Sequence, residues 1–330
     1  MSEGLGKLVA SVECVIDAHA HLPLGPLPHR YLERLAGIGV SHVVLLGLPD
    51  VRSIVAGIDL GEVEKEYKRT QGVIRRHVPS ELWDVLRPES LYYITLELVE
   101  KYGPLCGFLE DEALVQSILG IVEAGLGISV FHAPNLNKKP EEVIEEIEEA
   151  YRRGARGIKI ISTLFMKSLG DPAVDAVLEA AEQLDTPVVV HAGCDPGIWE
   201  LPRYCRFGDP SRLEPLLARH REARVIIAHT GGYSAIAPGV FTAEALALLR
   251  KYPNVYADVS ALNSVLVEMI ARDAPRDKLL YGSDYPVVDR DPASFIQDVY
   301  RALLFAGYSQ RDLRRFFHGN AEEVLGMSCK

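Results

Sequence analysis

Residues 157–191 read GIKIISTLFMKSLGDPAVDAVLEAAEQLDTPVVVH, and this stretch contains the unit that decides the fold. Its two ends, Gly157 to Ile161 and Val188 to His191, are short apolar runs of the kind that forms strands buried on both faces. Between them, Pro172 to Leu184 has the apolar periodicity of an amphipathic helix. A strand, a helix and a second strand in this order predict one βα unit followed by the start of the next.

The same alternation recurs along the whole chain, with helices such as Pro140 to Arg153 between the runs. Eight βα units without a linker rich in Pro, Gly and Ser favour one closed (β/α)8 TIM barrel over an open doubly wound sheet. The other predicted strands are Cys14 to His19, His42 to Leu46, Ile128 to His132, Val225 to His229, Val255 to Val259 and Leu279 to Asp284.

Composition and charge are those of a soluble globular protein. The 330 residues are 48% hydrophobic and 25% charged, so we expect residues 1–330 to form a single barrel domain. The 46 acidic and 35 basic residues leave a net charge of −11, which argues against nucleic acid or an anionic membrane as a partner. The chain shows neither a secretion signal nor an apolar run of about 20 residues, so we expect a cytoplasmic protein.

Cysteine usage points to the same compartment. The five cysteines are scattered, odd in number and without a CxxC pair. This pattern predicts neither a disulfide framework nor a thiolate zinc site, and it fits a reducing compartment.

One connection is longer than a barrel needs. Between the second and third predicted strands lie residues 49–125, which contain amphipathic stretches around Glu62 to Val78, Ser80 to Leu86 and Leu91 to Tyr102. We expect a helical insertion within the barrel. It could be a lid over the site, a contact within a homo-oligomer or a purely structural excursion.

The strongest local motif is Asp17-Ala18-His19-Ala20-His21. Residues two apart on a strand share a face, so His19 and His21 are expected to point together into the barrel. Other candidate ligands close separate predicted strands, namely His191, His229 and Asp284. A parallel barrel gathers all carboxyl ends of its strands on one face, so these side chains are expected to converge.

In these motifs the chain resembles the amidohydrolase superfamily, and most closely its amidohydrolase-2 branch of metal-dependent decarboxylases and lactone hydrolases. The resemblance runs from about Val15 to Gly326. It rests on the DAHAH motif and on Gly154 to Ile160, Pro187 to Gly193, Ile226 to Gly232, Gly282 to Pro286 and Gly319 to Ala321, in that order.

The resemblance implies that His19, His21, His191 and Asp284 bind a divalent ion, with His229 beside it. Several imidazoles and one carboxylate suit Zn²⁺ better than Mg²⁺ or Ca²⁺, although Mn²⁺ or Fe²⁺ would also fit. Such an ion would lower the pKa of a bound water. Asp284 would then accept and return its proton, while His229 polarises the substrate carbonyl or assists the transfer.

Lys159 lies in the middle of a predicted strand, where an unpaired buried lysine would be costly. Some binuclear relatives carry a carbamylated lysine at this strand, bridging two ions. The alternative is a salt bridge from Lys159 to Asp17 or Asp258.

Further residues are candidates for the substrate pocket. His132 ends the third predicted strand and would contact either substrate or backbone. Arg203 and Arg206 follow the fifth strand, where they either bind a substrate carboxylate or lie on the surface. Cys194 would line the pocket without acting as a nucleophile. The remaining histidines, read as structural, are His29, His42, His77, His220 and His318.

Three functions are compatible with these residues. The leading prediction is a metal-dependent hydrolase that cleaves an ester, lactone or amide bond of a small molecule. The second is a metal-dependent decarboxylase using the same site. The third is a non-catalytic metal-binding barrel, which would need a filled coordination shell and no proton shuttle.

Overall fold

The computed structural model describes residues 3–21, 29–49, 51–57, 125–194, 200, 202–234, 237–286 and 291–329, with isolated positions between 59 and 80. Its eight strands are all parallel and follow one another in chain order around a single sheet. They are β1 Ile16–Ala20, β2 His42–Leu46, β3 Gly127–His132, β4 Gly157–Ile160, β5 Val188–Val190, β6 Val225–Ile227, β7 Val255–Asp258 and β8 Leu279–Leu280.

The sheet closes between its first strand and the segment that follows its last strand. The backbone N–H of Ala18 donates to the carbonyl of Tyr281 at 3.0 Å, and the N–H of His21 donates to the carbonyl of Tyr285 at 2.8 Å. These bonds give β1 a partner on its second side and remove the open edge of the sheet. The architecture is therefore a (β/α)8 TIM barrel, which confirms the predicted fold.

Helices alternate with the strands and begin at residues suited to cap them. Asp171, Asn263 and Asp291 each accept a hydrogen bond from a backbone N–H in the first turn of the helix that follows. The helices are α1 Glu3–Val12, α2 His29–Gly37, α3 Val51–Ala56, α4 Pro140–Arg152, α5 Pro172–Gln183, α6 Glu214–Leu217, α7 Thr242–Lys251, α8 Ser264–Asp273, α9 Pro292–Phe305, α10 Gln310–Arg314 and α11 Asn320–Leu325.

The hydrophobic core has two layers, because alternate strand residues face opposite sides of the sheet. One layer lies between sheet and helices and includes Val188, Val190, Val225 and Ile227. The other fills the barrel interior. It contains Ile16, Ala18, Val44, Leu46, Phe131, Val189, Ile226 and Leu280, and α11 packs on it through Ala321 and Val324.

The register of β1 changes within the DAHAH motif. Asp17 is paired with Val43 and Ala20 with Leu45, so three steps along β1 correspond to two along β2. Ala18 consequently packs in the barrel interior, whereas Ala20 packs on the helix side. Simple strand alternation would have put both alanines on the helix side. The irregularity instead turns the motif at the carboxyl end of β1, beside the segment after β8.

Most of the long insertion lies outside the described residues. α3 and isolated positions up to Ser80 are described, whereas 81–124 are not. The extent of the insertion, its three alternative roles and its membership of one domain of residues 1–330 therefore stay predictions.

The cysteines depart from expectation. Cys14 is joined to Cys329 and Cys194 to Cys205 as disulfides, with Cα atoms 6.3 and 5.0 Å apart. The prediction of no disulfide is therefore wrong for these four residues, and Cys106 lies outside the described part. Cys14 and Cys329 are 315 residues apart in sequence. No spacing rule detects a pair that only the folded barrel brings together.

These disulfides do not support the expected reducing compartment, because reducing compartments normally keep thiols free. The cytoplasmic location stays a prediction. Within the part of the chain that the structure describes, every helix is too short or too polar to cross a membrane.

Candidate metal centre

Four polar side chains meet at the carboxyl ends of strands from opposite parts of the chain. His19 lies near the end of β1 and His21 directly after it, while His229 follows β6 and Asp284 follows β8. All four are buried. This is the face on which enzymes with this fold carry their active sites.

The carboxylate of Asp284 lies between the two histidines of the DAHAH motif. Its Oδ1 is 3.3 Å from Nε2 of His19 and 3.2 Å from Nε2 of His21. Burial favours the neutral carboxyl of Asp284, but its contacts with the two imidazoles outweigh burial and hold its pKa well below the usual range. The side chain is therefore a buried carboxylate anion facing two imidazoles.

An oxygen atom contacts Nδ1 of each of three histidines. His19 Nδ1 is 2.8 Å from Oδ2 of Asp258, and His21 Nδ1 is 3.0 Å from the carbonyl of Leu46. His229 Nδ1 is 3.1 Å from the carbonyl of Ser260. A carbonyl or carboxylate only accepts hydrogen bonds, so Nδ1–H is the donor in each case. For the neutral ring, this assignment leaves the lone pair on Nε2, as is usual for metal-ligating histidines.

His191 contacts His229, which lies between it and the histidines of the DAHAH motif. Its Nδ1 is 3.3 Å from Nε2 of His229, and its Nε2 is 3.7 Å from Oε1 of Glu200. Tyr233 borders the two rings, with centroids 5.5 Å from His191 and 4.9 Å from His229. His191 thus borders the cluster through His229 and does not touch Asp284 directly.

Asp258, at the end of β7, and Ser260, just beyond it, form hydrogen bonds with two histidines of the cluster. Asp258 Oδ1 accepts the backbone N–H of His229 at 2.9 Å and that of Ser260 at 3.0 Å. The Oγ of Ser260 is 2.8 Å from Nδ1 of His229 and 3.1 Å from Nδ1 of His19. The sequence singles out Asp258 only as a partner for Lys159 and gives no signal for Ser260, Tyr233 or Glu200.

Charges around the rings explain how the pKa values diverge. Burial and the nearby Lys159 act to lower the pKa of His19, but Asp258 and Asp284 outweigh them and raise it. Burial lowers the pKa of His229 to about 4, and that of His191 well below its usual value. The field that favours a proton on His19 also favours a divalent cation, so the centre is suited to bind positive charge.

The backbone at the centre adopts sparsely populated conformations. His229 and Asp284 have φ angles of 56° and 59°, and Thr230 has 44°. Left-handed conformations cost free energy in residues other than glycine, and they cluster at functional sites. Backbone strain therefore coincides with the clustered side chains.

Lys159 points from β4 toward the same cluster. Its Nζ is 3.5 Å from Nε2 of His19, and burial lowers its pKa to about 8 against the charges of Asp258 and Asp284. No carboxylate of the described residues lies within 4.0 Å of Nζ. Asp17 instead accepts backbone N–H groups of His19 and Ser283. Neither salt bridge proposed for Lys159 is thus formed as a close contact.

The donor atoms fit a metal ion. One donor each from His19, His229 and Asp284 lies within 4.8 Å of the other two. Nitrogen and oxygen ligands lie about 2.0–2.2 Å from Zn²⁺, so two of them on opposite sides of an ion would be at most about 4.4 Å apart, and the three donors would have to move closer together to share one ion. The N and O donor set suits Zn²⁺, Mn²⁺ or Fe²⁺.

The candidate substrate residues His132 and Arg203 contact carboxylates outside this cluster. His132 Nε2 is 3.0 Å from Oε1 of Glu146 in α4, and Arg203 Nη1 is 2.9 Å from Oε2 of Glu62. Arg203 and Arg206 are exposed. The structure thus pairs His132 and Arg203 with carboxylates of this chain.

Comparison with protein families identifies the group to which this site belongs. The family model described as amidohydrolase matches residues 121–327, more than half of the chain. The chain belongs to the amidohydrolase family. Enzymes of this family are metal-dependent, in agreement with the cluster of imidazole and carboxylate donors. No curated protein matches the sequence.

Solved structures of three other proteins share the fold at low sequence identity. A probable 2-pyrone-4,6-dicarboxylic acid hydrolase from Acinetobacter baumannii is 15% identical, with a TM-score of 0.55, covering 95% of this chain and 99% of its own. A 5-carboxyvanillate decarboxylase from Sphingomonas paucimobilis is 12% identical, with a TM-score of 0.55 and coverage of 96% and 99%. One from Novosphingobium aromaticivorans, complexed with manganese, is 17% identical, with a TM-score of 0.52 and coverage of 92% and 81%.

Proposed function

We propose that this protein is a metal-dependent hydrolase that cleaves an ester, lactone or amide bond of a small molecule. One observation carries the proposal. Three buried imidazoles have Nδ1 bonded to fixed oxygens, and Nε2 of two of them faces the Asp284 carboxylate. A barrel that needed these histidines only for packing would not require a carboxylate opposite their Nε2 atoms.

We assign one divalent ion to His19, His21, His191 and Asp284, with His229 beside it. The donor chemistry supports Zn²⁺ as first choice, and Mn²⁺ or Fe²⁺ suit the same donors. His191 contacts this cluster through His229, at 3.3 Å, and not through the Asp284 carboxylate. The proposal therefore requires the His191 side chain to move toward Asp284.

A bound divalent ion supplies Lewis acidity, which polarises a carbonyl and eases the ionisation of water. Asp284 accepts the proton of the attacking water at Oδ1 and returns it to the leaving group. Asp258 keeps the His19 ring in its orientation through Nδ1. His229 is neutral near pH 7, because its pKa is about 4, and its Nδ1–H is engaged by Ser260. Nε2 of His229 therefore carries the lone pair and accepts from Nδ1 of His191 at 3.3 Å, so it favours accepting a proton over donating to a carbonyl.

Decarboxylation is the second candidate, because two of the fold relatives are 5-carboxyvanillate decarboxylases. The same pair, Asp284 and His229, would then help to protonate a substrate carbon. An assay on two panels separates the candidates. One panel contains esters, lactones and amides, and the other contains aromatic and unsaturated acids. We expect hydrolysis in the first panel. Carbon dioxide release from the acids, without any hydrolysis in the first panel, would reject the hydrolase in favour of the decarboxylase.

Asp284→Asn tests whether the centre is catalytic at all. The amide keeps the shape of the carboxylate but cannot accept the proton, so we expect kcat to fall by about 10²-fold or more and metal content to drop. Asp298→Asn, at a half-buried position on α9 outside the cluster, is the matched control. Unchanged turnover and unchanged metal content in the Asp284 variant would remove both roles assigned to this residue.

A further inference from the structure

A second group of potential metal ligands lies beside the proposed catalytic centre. Sγ of Cys194, a carboxylate oxygen of Glu200 and Sγ of Cys205 all lie within 4.8 Å of one another. Cys194 follows β5 by four residues, and Cys205 lies in the helical turn Pro202–Gly208. None of the three belongs to the catalytic donor set proposed above.

The backbone around this group is tied together by short contacts. The N–H of Cys194 donates to the carbonyl of Tyr233 at 2.7 Å, and the N–H of Gly193 donates to the carbonyl of Gly208 at 3.2 Å. Gly193 has a φ of +133°, and a Cβ at this position would be 2.5 Å from the carbonyl oxygen of Tyr233. The loops after β5 and β6 therefore hold the cysteines in place.

Burial makes the group a site rather than a surface cluster. Cys194 is 2% exposed and Glu200 5% exposed, while Cys205 is partly exposed and gives access from solvent. Two sulfurs and one carboxylate are a ligand set that Zn²⁺ accepts, with Zn–S distances of about 2.3 Å and Zn–O distances of about 2.0–2.2 Å. The two sulfurs are joined as a disulfide within 4.8 Å of the Glu200 oxygen, so opening this bond would leave three donors around a space for one ion.

We propose that Cys194, Glu200 and Cys205 form a second, redox-dependent site for a zinc-type divalent ion. The disulfide between the cysteines is the closed form, in which the sulfurs do not coordinate. The dithiol is the open form, which binds the ion through two thiolates and Glu200, leaving a fourth position for water.

The interconversion balances with a phosphine as reductant. The phosphorus supplies two electrons to the S–S bond and takes up the oxygen of one water as phosphine oxide. The two hydrogens of that water leave one thiol on Cys194 and one on Cys205. Binding of the divalent ion then releases both thiol protons, because the thiolate is the ligand.

His191 lies between the two sets of donors. Its Nε2 is 3.7 Å from Glu200 and its Nδ1 is 3.3 Å from His229. An ion at the cysteine site would withdraw the Glu200 carboxylate from His191 and add positive charge next to it. A metal ion bound at the cysteine site would therefore weaken the binding of a second cation by His191 at the catalytic centre.

Cobalt titration tests the proposal, because thiolate ligands give Co²⁺ an intense near-ultraviolet charge-transfer band that nitrogen and oxygen ligands do not. The wild-type chain is titrated after phosphine reduction and again after oxidation. We expect the band only in the reduced chain, with one more equivalent of bound cobalt than in the oxidised chain. Absence of the band from the reduced chain would overturn the proposal.

Two double variants make the assignment specific. Cys194→Ser with Cys205→Ser should abolish the band, whereas Cys14→Ser with Cys329→Ser should leave it unchanged, with Cys106 retained in both. A band that survives in the first variant would also overturn the proposal. The proposed catalytic centre contains no sulfur ligand. If that centre binds no metal, the oxidised chain would bind no cobalt, but the thiolate band of the reduced chain would be unaffected.

Discussion

Nδ1 of His19 lies 2.8 Å from Oδ2 of Asp258, and both side chains are completely buried. The other oxygen of Asp258 accepts the backbone N–H groups of His229 and Ser260. Burial would raise the pKa of Asp258, but the neighbouring His19 outweighs it and holds that pKa below the usual range. One carboxylate from β7 therefore orients a ring on β1 and the backbone after β6.

This relationship predicts the effect of Asp258→Asn. The amide cannot match a charged acceptor for the Nδ1–H of His19, so we expect the metal affinity of the catalytic centre to fall by about 10–100-fold. Chelator competition measures the affinity, and circular dichroism checks that the variant is folded. Asp298→Asn should leave the affinity unchanged. An Asp258→Asn variant that is folded and binds metal as the wild type does would contradict this role.

Lys159→Met separates the two readings of the buried lysine. As an unmodified ammonium 3.5 Å from Nε2 of His19, Lys159 repels a cation at the catalytic centre. Its removal should then tighten metal binding by about tenfold or more, with one ion still bound. A bridging carbamate on Lys159 predicts the reverse, namely loss of metal and dependence on bicarbonate. Isothermal titration decides between them, with Lys138→Met on the surface as control.

Gly193→Ala should damage the centre more than Gly154→Ala. Both glycines have positive φ angles, +133° and +112°, so each alanine bears a strain of about 1–3 kcal/mol. Only at Gly193 would the new Cβ meet backbone, 2.5 Å from the carbonyl of Tyr233, whereas Gly154 faces open space. We expect a larger loss in the free energy of unfolding and weaker metal binding for Gly193→Ala alone. Equal losses in the free energy of unfolding for the two variants would mean that the loops after β5 and β6 move to accommodate the new Cβ, contrary to this prediction.

His220 should contribute stability that depends on pH. Its ring contacts Glu182 at 2.9 Å and Asp175 at 2.8 Å, and Arg219 also pairs with Asp175. Burial lowers the pKa of His220, but the two carboxylates outweigh it and raise the pKa above 6.5. The folded state thus binds the proton more tightly than the unfolded state. The contribution should be complete below pH 6.5 and decline as the pH rises through the folded value.

The measurement compares the free energy of unfolding of the wild type and His220→Gln across this range. His42→Gln serves as a control of opposite sign, because burial lowers the pKa of His42 to about 4. Its contribution should be complete above pH 6.5 and disappear as the pH falls through about 4. A difference between the wild type and His220→Gln that grows with pH would refute the assignment.

Much of the barrel could be predicted from local pattern. The run His42 to Leu46 is β2 with the expected bounds, and the other seven strands lie within the predicted runs or differ from them by one residue at an end. Strands buried on both faces must be continuously apolar, so the chain itself displays them. The same pattern put His19, His21, His191, His229 and Asp284 at strand ends expected to converge, and all but His191 lie around the Asp284 carboxylate or next to His19.

Other features were decided only by tertiary contacts. The Cys14–Cys329 pair, Ser260 beside two imidazoles and the register change in β1 each depend on segments that are remote in sequence. The separation of His191 from Asp284 has the same origin. His191 contacts His229 and Glu200, whereas Asp284 contacts His19 and His21. Periodicity records which face a residue occupies, because burial acts on every residue locally. It does not record which atoms meet across the barrel mouth, because those distances are set by the closure of the sheet.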